Sequence, residues 1–410
     1  MAVRKPHRAP AWVLIALACA AAACEVHEDR EPAPVGLLSA EAMSALVPAV
    51  VDLRVADTAF ARMSDNPALD IEVPVAVTIY RGGEVVVAAE PAEIQIKGGS
   101  SVFLPAKPLG VTFARDLVDE GAGVLRVPAL DSGHTLARVR ALRLRGGGND
   151  FKTTIVKDLA FARMVVDGDL RVYALYGEQG ATYVNGRFYS LTNLRSENNV
   201  DGVSRLFGVD ADRVALAAVD QPEDPLEVRA GREGFWRALE AAVAAGDRAA
   251  VLSTVDPRGF ADFLIAGSVF ATQDWPWRNV RLFAVDEGPI QFVLYDFDFS
   301  GESYAWRSPL AYFERSRPSL IRSMALLCYG DPAFRALLER RYREVLASGQ
   351  LAPARLRAEL ETLAAVYDPV IGYQIARYGF PTSAAAWYVE LEGTVDDYAR
   401  RYRGLPEEFR

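Results

Sequence analysis

Apolar and polar positions alternate strongly in the first half of the chain, with the period of two expected of strands. Residues 47–55 are mostly apolar and rich in valine, which predicts a first strand. A short helix is expected over 58–63, with Asp57 as its cap. Residues 71–80 and 84–89 flank Arg81-Gly82-Gly83, a hairpin signal, and further strands are expected at 93–97 and 109–113, separated by Gly98-Gly99-Ser100-Ser101. A strand at 142–145, a loop at 146–150 and a helix over 153–166 follow. Residues 171–176, 181–184 and 188–194 read as a meander, with Asn185-Gly186 as a tight turn. Beyond about residue 200 the period lengthens to that of helices, at 235–245, 260–270, 332–347 and 354–367. One interruption stands out there. Two short strands, 280–285 and 291–295, are joined across Asp286-Glu287-Gly288-Pro289. The expected fold class is α+β, a β-rich N-terminal lobe over 46–199 and a mostly helical C-terminal lobe over 200–410, with a cleft between them where ligands would sit.

The N-terminus adds a different kind of segment. Arg4, Lys5 and Arg8 precede an apolar run over 11–23 that is too short to span a bilayer. It ends in Ala21-Ala22-Ala23-Cys24, which resembles a bacterial lipobox with Cys24 as the lipidated residue. Cys19 is a second candidate, and ordinary secretory cleavage is the alternative. The reading is a signal peptide over 1–23 and a polar tether over 24–45, placing the chain in the cell envelope, outside the cytoplasm and bound to a membrane through its N-terminal lipid.

The chain has 410 residues, 51% of them hydrophobic and 24% charged, enough apolar material for a large core. A net charge of −9 argues against nucleic acid as a partner. Three cysteines exclude a disulfide framework, and three histidines (His7, His27, His134) are too scattered for a zinc cluster or a Ser/His/Asp triad. Cys328 is expected to be buried. Lysine is scarce: five of the 45 basic residues. Apart from Lys5 they are Lys97, Lys107, Lys152 and Lys157, close enough together to mark a phosphate site, where a compact ammonium is not interchangeable with a guanidinium.

Phosphoryl transfer asks for donors to the phosphates, a carboxylate to orient the attacking hydroxyl, and oxygen ligands for Mg²⁺. Asp274 and Asn279 stand five residues apart before the 280–295 hairpin, and Asp296 and Asp298 follow it. If the strand continued past Tyr295 the last two acids would share a side, whereas a turn would part them. Gly98-Gly99-Ser100-Ser101 is either a plain turn or a cradle of amides and hydroxyls.

These segments together resemble the CotH kinases, atypical protein kinases related to spore coat protein H. The resemblance extends over most of residues 50–345. It is carried by Lys97 to Ser101 with Lys107 and Phe113, by Leu144 to Asp150 and the helix after it, and by Asn185-Gly186-Arg187-Phe188-Tyr189 to Leu194. The remaining motifs are Asp274-Trp275 with Asn279, and Tyr295-Asp296-Phe297-Asp298. Pro276, Val280 and Tyr295 depart from it, and Glu197 stands one place beyond the expected acid. The resemblance implies a two-lobed atypical protein-kinase-like fold using ATP and Mg²⁺ (or Mn²⁺) on Ser or Thr of an unknown protein substrate. Asp274 would be the catalytic base. Asn279 and Asp296 would hold the metal, with Asp298 behind them or as an alternate ligand. Lys107 would be the phosphate-pairing lysine on a strand, with Asp158 its acidic partner. Lys97, Gly98, Gly99, Ser100, Ser101 and Lys152 would line the nucleotide. A surface lipoprotein with this fold and no turnover is the competing expectation.

Overall fold

The structure is a computed structural model and describes residues 38–118, 127–128, 135–136, 138–175, 177–221, 225–301 and 309–405. Cys19, Cys24, the leader and all three histidines therefore lie outside the described residues. Among those described, no helix is long and apolar enough to cross a membrane.

The fold is α+β. A short helix α1 (Ala40–Met43) leads into β1 (Ala49–Arg54), α2 (Asp57–Asp65), β2 (Val73–Arg81), β3 (Glu84–Ile96) and β4 (Leu109–Val118). A two-stranded ribbon of β5 (Val127–Pro128) and β6 (Thr135–Leu136) precedes β7 (Arg138–Arg145). After α3 (Lys157–Val166) come β8 (Tyr173–Ala174), β9 (Glu178–Val184) and β10 (Arg187–Arg195). Seven of these strands close a barrel in the order β1-β2-β3-β4-β7-β10-β9. Its pairings are antiparallel except β1 with β9, which closes the barrel in parallel. The alternation in β2 buries Val73, Val75, Val77 and Ile79 in the barrel core beside Leu53, Ile94, Val111, Leu142 and Leu144.

Two expected strands, 84–89 and 93–97, are one strand. Ala89 turns left-handed (φ 46°) and donates its N–H to Thr78 Oγ1, so the pairing slips across an irregularity without breaking. The expected meander is corrected at its first member. Tyr173 and Ala174 do not join β9 and β10; they pair in parallel with Val293 and Leu294 of another sheet. Asn185 and Gly186 do form the tight turn, both left-handed (φ 51° and 75°). Asp57 does not cap α2 with its side chain; it accepts from Asn185 Nδ2.

The C-terminal part holds strands that its composition hides. After α4 (Val200–Phe207), β11 (Val214–Val219) and β12 (Glu227–Ala230) join β13 (Val280–Val285) and β14 (Gln291–Leu294) in a sheet ordered β12-β11-β13-β14-β8. The helices are α5 (Glu233–Ala244), α6 (Arg248–Thr254), α7 (Pro257–Phe270), α8 (Pro309–Arg315), α9 (Leu320–Tyr329), α10 (Pro332–Ala347), α11 (Pro353–Tyr367), α12 (Ile371–Tyr378) and α13 (Ala384–Arg403). Helix α7 is buried on every side from Gly259 to Phe270, in keeping with its largely apolar sequence, and its one acid, Asp262, is paired with Arg341. Cys328 is buried in this core.

The two parts are welded along β9 and β10. Tyr189 and Leu194 face the barrel core, while Phe188 and Leu191 belong to the helical core. Gln179 donates to the Leu363 carbonyl, Tyr367 to that of Thr192, and the Leu191 N–H to Gln374. This covered side leaves the ends of β7 and β10 facing the loops around β13 and β14, where the polar site lies.

Candidate active site

The alternation Leu142-Arg143-Leu144-Arg145 sends both leucines into the barrel and both arginines to its outer face. In the neighbouring strand Arg195 lies opposite Arg143. Three guanidiniums on one patch of sheet repel unless acids meet them. Glu197 meets Arg143 at 2.8 Å. Asp158, on α3, lies 3.0 Å from Arg195 Nη1 and 3.3 Å from Arg145 Nε. Arg145 Nη2 then bonds Asp298 at 2.8 Å and also Asp296.

The loop carrying these two acids is held from behind. The Phe297 N–H donates to Asp158 Oδ1 at 2.7 Å. Of the two alternatives after Tyr295, the turn is the one found: Asp296 is left-handed (φ 67°) and residues Phe297–Phe299 form a single tight helical turn. It does not part the acids, because Arg145 bridges them. Asp298 is buried and its Oδ2 accepts from the Asn149 N–H (2.8 Å), from Asn149 Nδ2 (3.1 Å) and from Arg145, which fills that oxygen.

Asn149 is placed there by the second glycine loop. Gly147 and Gly148 are both left-handed (φ 87° and 63°), and a Cβ on Gly148 would collide with Arg145 and Asp298. Asp150 is a structural acid: buried, it accepts from the Thr153 and Thr154 hydroxyls and from the Thr154 and Lys157 N–H groups, tying the loop to the start of α3.

The open side of the site is the loop after α7. Asn279, left-handed (φ 58°), donates Nδ2 to Asp296 Oδ2 at 3.1 Å, leaving its amide oxygen as an acceptor. Asp274 is half-buried and accepts no hydrogen bond from the described residues. Burial raises its carboxyl above the usual aspartate range, helped by the nearby charge of Asp296 and opposed by Arg278 and Arg317. Burial would also raise Asp158, but Arg145, Arg195 and the Phe297 N–H outweigh it and hold that carboxyl low. Burial and Asp296 push Asp298 upward against the pull of Arg145. Arg145 stays protonated among its three carboxylates in spite of its burial.

Asp274, Asn279, Asp296 and Asp298 therefore converge, and Asp158 joins them from α3. The pairing expected for Asp158 is corrected: its carboxylate is taken by Arg145 and Arg195, not by Lys107. Lys107 lies before β4 rather than on it, with Nζ 3.3 Å from the Leu104 carbonyl. Lys97 lies across Gly110: a Cβ there would come within 2.8 Å of its Cγ and 3.7 Å of Glu197 Oε1. Lys152 sits over the Phe380 ring at 5.0 Å, and Lys157 belongs to the start of α3. In the first glycine loop, Ser100 Oγ comes within 3.5 Å of Asn149 Oδ1, Ser101 is buried, Gly98 is close to Ser101, and Gly99 has open space around it.

Arg145, Arg195 and Asn149 were not singled out from the sequence. The one signal for the arginines was Leu-Arg-Leu-Arg running into a glycine loop, and in a chain this rich in arginine it is faint.

A carboxylate without a described hydrogen-bond donor thus lies near an Asn–Asp pair whose loop is gripped by a helix acid through the backbone. Residues 235–405 match the family described as CotH kinase protein, bearing out the resemblance over that stretch. The match includes Asp274, Asn279, Asp296 and Asp298; both glycine loops, the lysines and Asp158 lie before it. No curated protein matches the chain.

Proposed function

We propose that the chain is a two-lobed atypical protein kinase that transfers the γ-phosphoryl group of ATP, with Mg²⁺ or Mn²⁺, to a Ser or Thr hydroxyl of a protein outside the cytoplasm, where Cys24 would anchor it through lipid. The observation that carries this reading is the Asn279–Asp296 pair, 3.1 Å apart, in the electrostatic field of an uncommitted Asp274.

The donor set suits a hard cation. Asp296 and the Asn279 amide offer oxygens only, and Mg²⁺ is ordinarily held by one or two carboxylates together with substrate phosphates. It is no all-protein cage: among the described residues no three His, Cys, Asp or Glu side chains gather as one. Asn279 and Asp296 would hold the metal, with Asp298 behind them. When bound, the metal would neutralise charge on the phosphoryl group being transferred.

Asp274 would accept the proton of the acceptor hydroxyl at its carboxylate oxygen, a task suited to a raised carboxyl that accepts no hydrogen bond from the described residues. Asp158 is a positioning residue, fixing Asp296 through the Phe297 N–H. Ser100 and the open backbone at Gly99 are the proposed phosphate contacts of the first glycine loop. Lys97, across Gly110, would add positive potential there.

A second reading rests on Arg145. Its guanidinium already meets the charge of Asp296 and Asp298 that a divalent ion would otherwise meet. A chain settled in that state would be a kinase-like surface lipoprotein with a binding or structural role.

Titration of the purified mature chain with Mn²⁺–ATP separates the two. Saturable binding that Asp296→Ala abolishes and Asp286→Ala leaves intact is expected. Asp286 makes an exposed pair with Arg213 in the β13–β14 turn and serves as the control. No binding at millimolar nucleotide selects the second reading.

A further inference from the structure

The loop that carries Asp274 also forms one wall of an open cavity of about 360 Å³. Its lining includes Thr272, Trp275 and Tyr312, with Trp277, Arg315 and Arg317. The apolar part is firmly built: Trp275 and Tyr312 are buried, and the Tyr312 hydroxyl donates to the Trp275 carbonyl at 2.7 Å. Thr272 is tied to Ser300 by a 2.6 Å hydroxyl contact.

The charged part is cationic. Arg317 lies over the Trp277 ring at 4.5 Å, and Arg278 lies 5.1 Å from the same ring. Arg278 is further fixed by the Asp220 carbonyl and by Gln221. An indole face that holds the Arg317 guanidinium in place leaves its N–H edge available and lowers the entropy lost on binding an anion. Among the described residues, no carboxylate forms an ion pair with Arg317 and none lines the cavity.

That is a local reversal in a chain of net charge −9. The larger cavity beside β12, about 710 Å³, shows the ordinary arrangement. Its arginines are neutralised at home, Arg229 by Asp220 and Glu227, and Arg237 by Glu233 and Glu240. Arg278 and Arg317 also act on Asp274, which puts the cationic wall within electrostatic reach of the base.

We propose that this cavity is the acceptor subsite and that it takes an acidic side chain, Asp or Glu, lying close in sequence to the hydroxyl that is phosphorylated. A carboxylate there would receive the N–H edge of Arg317, while the stem of the side chain packs on Trp275 and Tyr312. A lysine or arginine in the same place would meet like charge and lose its hydration. The proposal rests on the phosphotransfer reading, because it makes the cavity the place of the acceptor peptide.

Its test is binding first and turnover second. Fluorescein-labelled serine peptides carrying Glu, Ala or Lys at each flanking position in turn are titrated with the full mature chain by anisotropy. A Glu at one position should tighten binding about 10-fold over Ala, the scale of one charge-assisted hydrogen bond, and Lys there should weaken it. Arg317→Glu should reverse the order and Arg317→Ala flatten it. Arg317 is exposed, so both variants should keep the wild-type melting temperature. Equal binding of the Glu and Lys peptides, or a preference that survives Arg317→Glu, overturns the proposal. Phosphate transfer to the same peptides is then measured with Mn²⁺–ATP. Acid-selective binding without transfer would sink the kinase reading and keep the cavity as an acidic-peptide site. Transfer that favours the Lys peptides would sink the cavity assignment and keep the kinase.

Discussion

Asp298 and Asp274 are two aspartates of one site, both pushed upward by burial, and they are held in opposite ways. Asp298 Oδ2 accepts from Arg145 and twice from Asn149; Asp274 accepts from no described donor. The two glycine loops divide along the same line. A Cβ on Gly148 would collide with Arg145 and Asp298, whereas a Cβ on Gly99 would meet nothing within 4 Å. On the closed side, side chains act on each other and fix geometry. On the open side the groups have unused capacity, which is what chemistry on an incoming molecule needs.

The largest effect should fall on the open side. Asp274→Asn keeps the shape and removes the charge, so turnover should fall roughly 10²–10⁴-fold, the range of general acid–base catalysis, with nucleotide affinity unchanged. A drop in melting temperature with no specific loss of kcat would place Asp274 among the structural acids.

Asp158→Ala tests the closed side. It leaves Arg145 and Arg195 buried without their shared acid, so about 3–5 kcal/mol of stability should be lost, measured by urea unfolding. The carboxyl of Asp158 is lower in the folded protein than in the unfolded chain. Its contribution is therefore present above the unfolded aspartate value and lost as pH falls through the folded one. The wild type should lose stability on acidification more steeply than Asp158→Asn. A loss below 1 kcal/mol would mean that the cluster is not the clamp its geometry describes.

The pH dependence should separate the two sides. Asp274 has the opposite sign, its folded value lying above the unfolded one. Its charge disfavours folding above the unfolded value, and that cost grows as pH rises to the folded one. Asp274→Asn should thus be at least as stable as wild type at neutral pH, with the difference vanishing in acid. The acid limb of kcat in the wild type should lie above the ordinary aspartate range.

Smaller effects should come from the glycines. Gly148→Ala puts a side chain into a left-handed position, roughly 1–3 kcal/mol, and displaces Arg145 or Asp298 as well, so both the melting temperature and Mn²⁺–ATP binding should fall. Gly99→Ala should change stability by less than about 0.5 kcal/mol. If the two alanines behave alike, the division into closed and open sides fails.

Much of this architecture was legible along the chain because it is written in local periods. The alternation of β2, the Asn185-Gly186 turn, the β13–β14 hairpin and helices α5, α7, α10 and α11 all lie close to where pattern places them. Strand β11, Val-Ala-Leu-Ala-Ala-Val, reads equally as a helix; pairing with β13 over six residues makes it a strand. Tyr173 and Ala174 carry no signal for the sheet they enter, since their partners lie about 120 residues on.

Three acids and an amide of the site, Asp274, Asn279, Asp296 and Asp298, could be read with their order from the chain alone, because one short stretch around a hairpin contains them all. Which of them are free and which are spent is settled on folding. That depends on Arg145, brought to Asp296 and Asp298 from a strand about 150 residues away by barrel closure and the packing of α3, and on Arg195, which shares Asp158 with it; no local pattern of charge distinguishes them from the other arginines. Hydrophobic periodicity acts between near neighbours and survives in sequence. Charge pairing in a buried site is set by distances that exist only once the chain has folded.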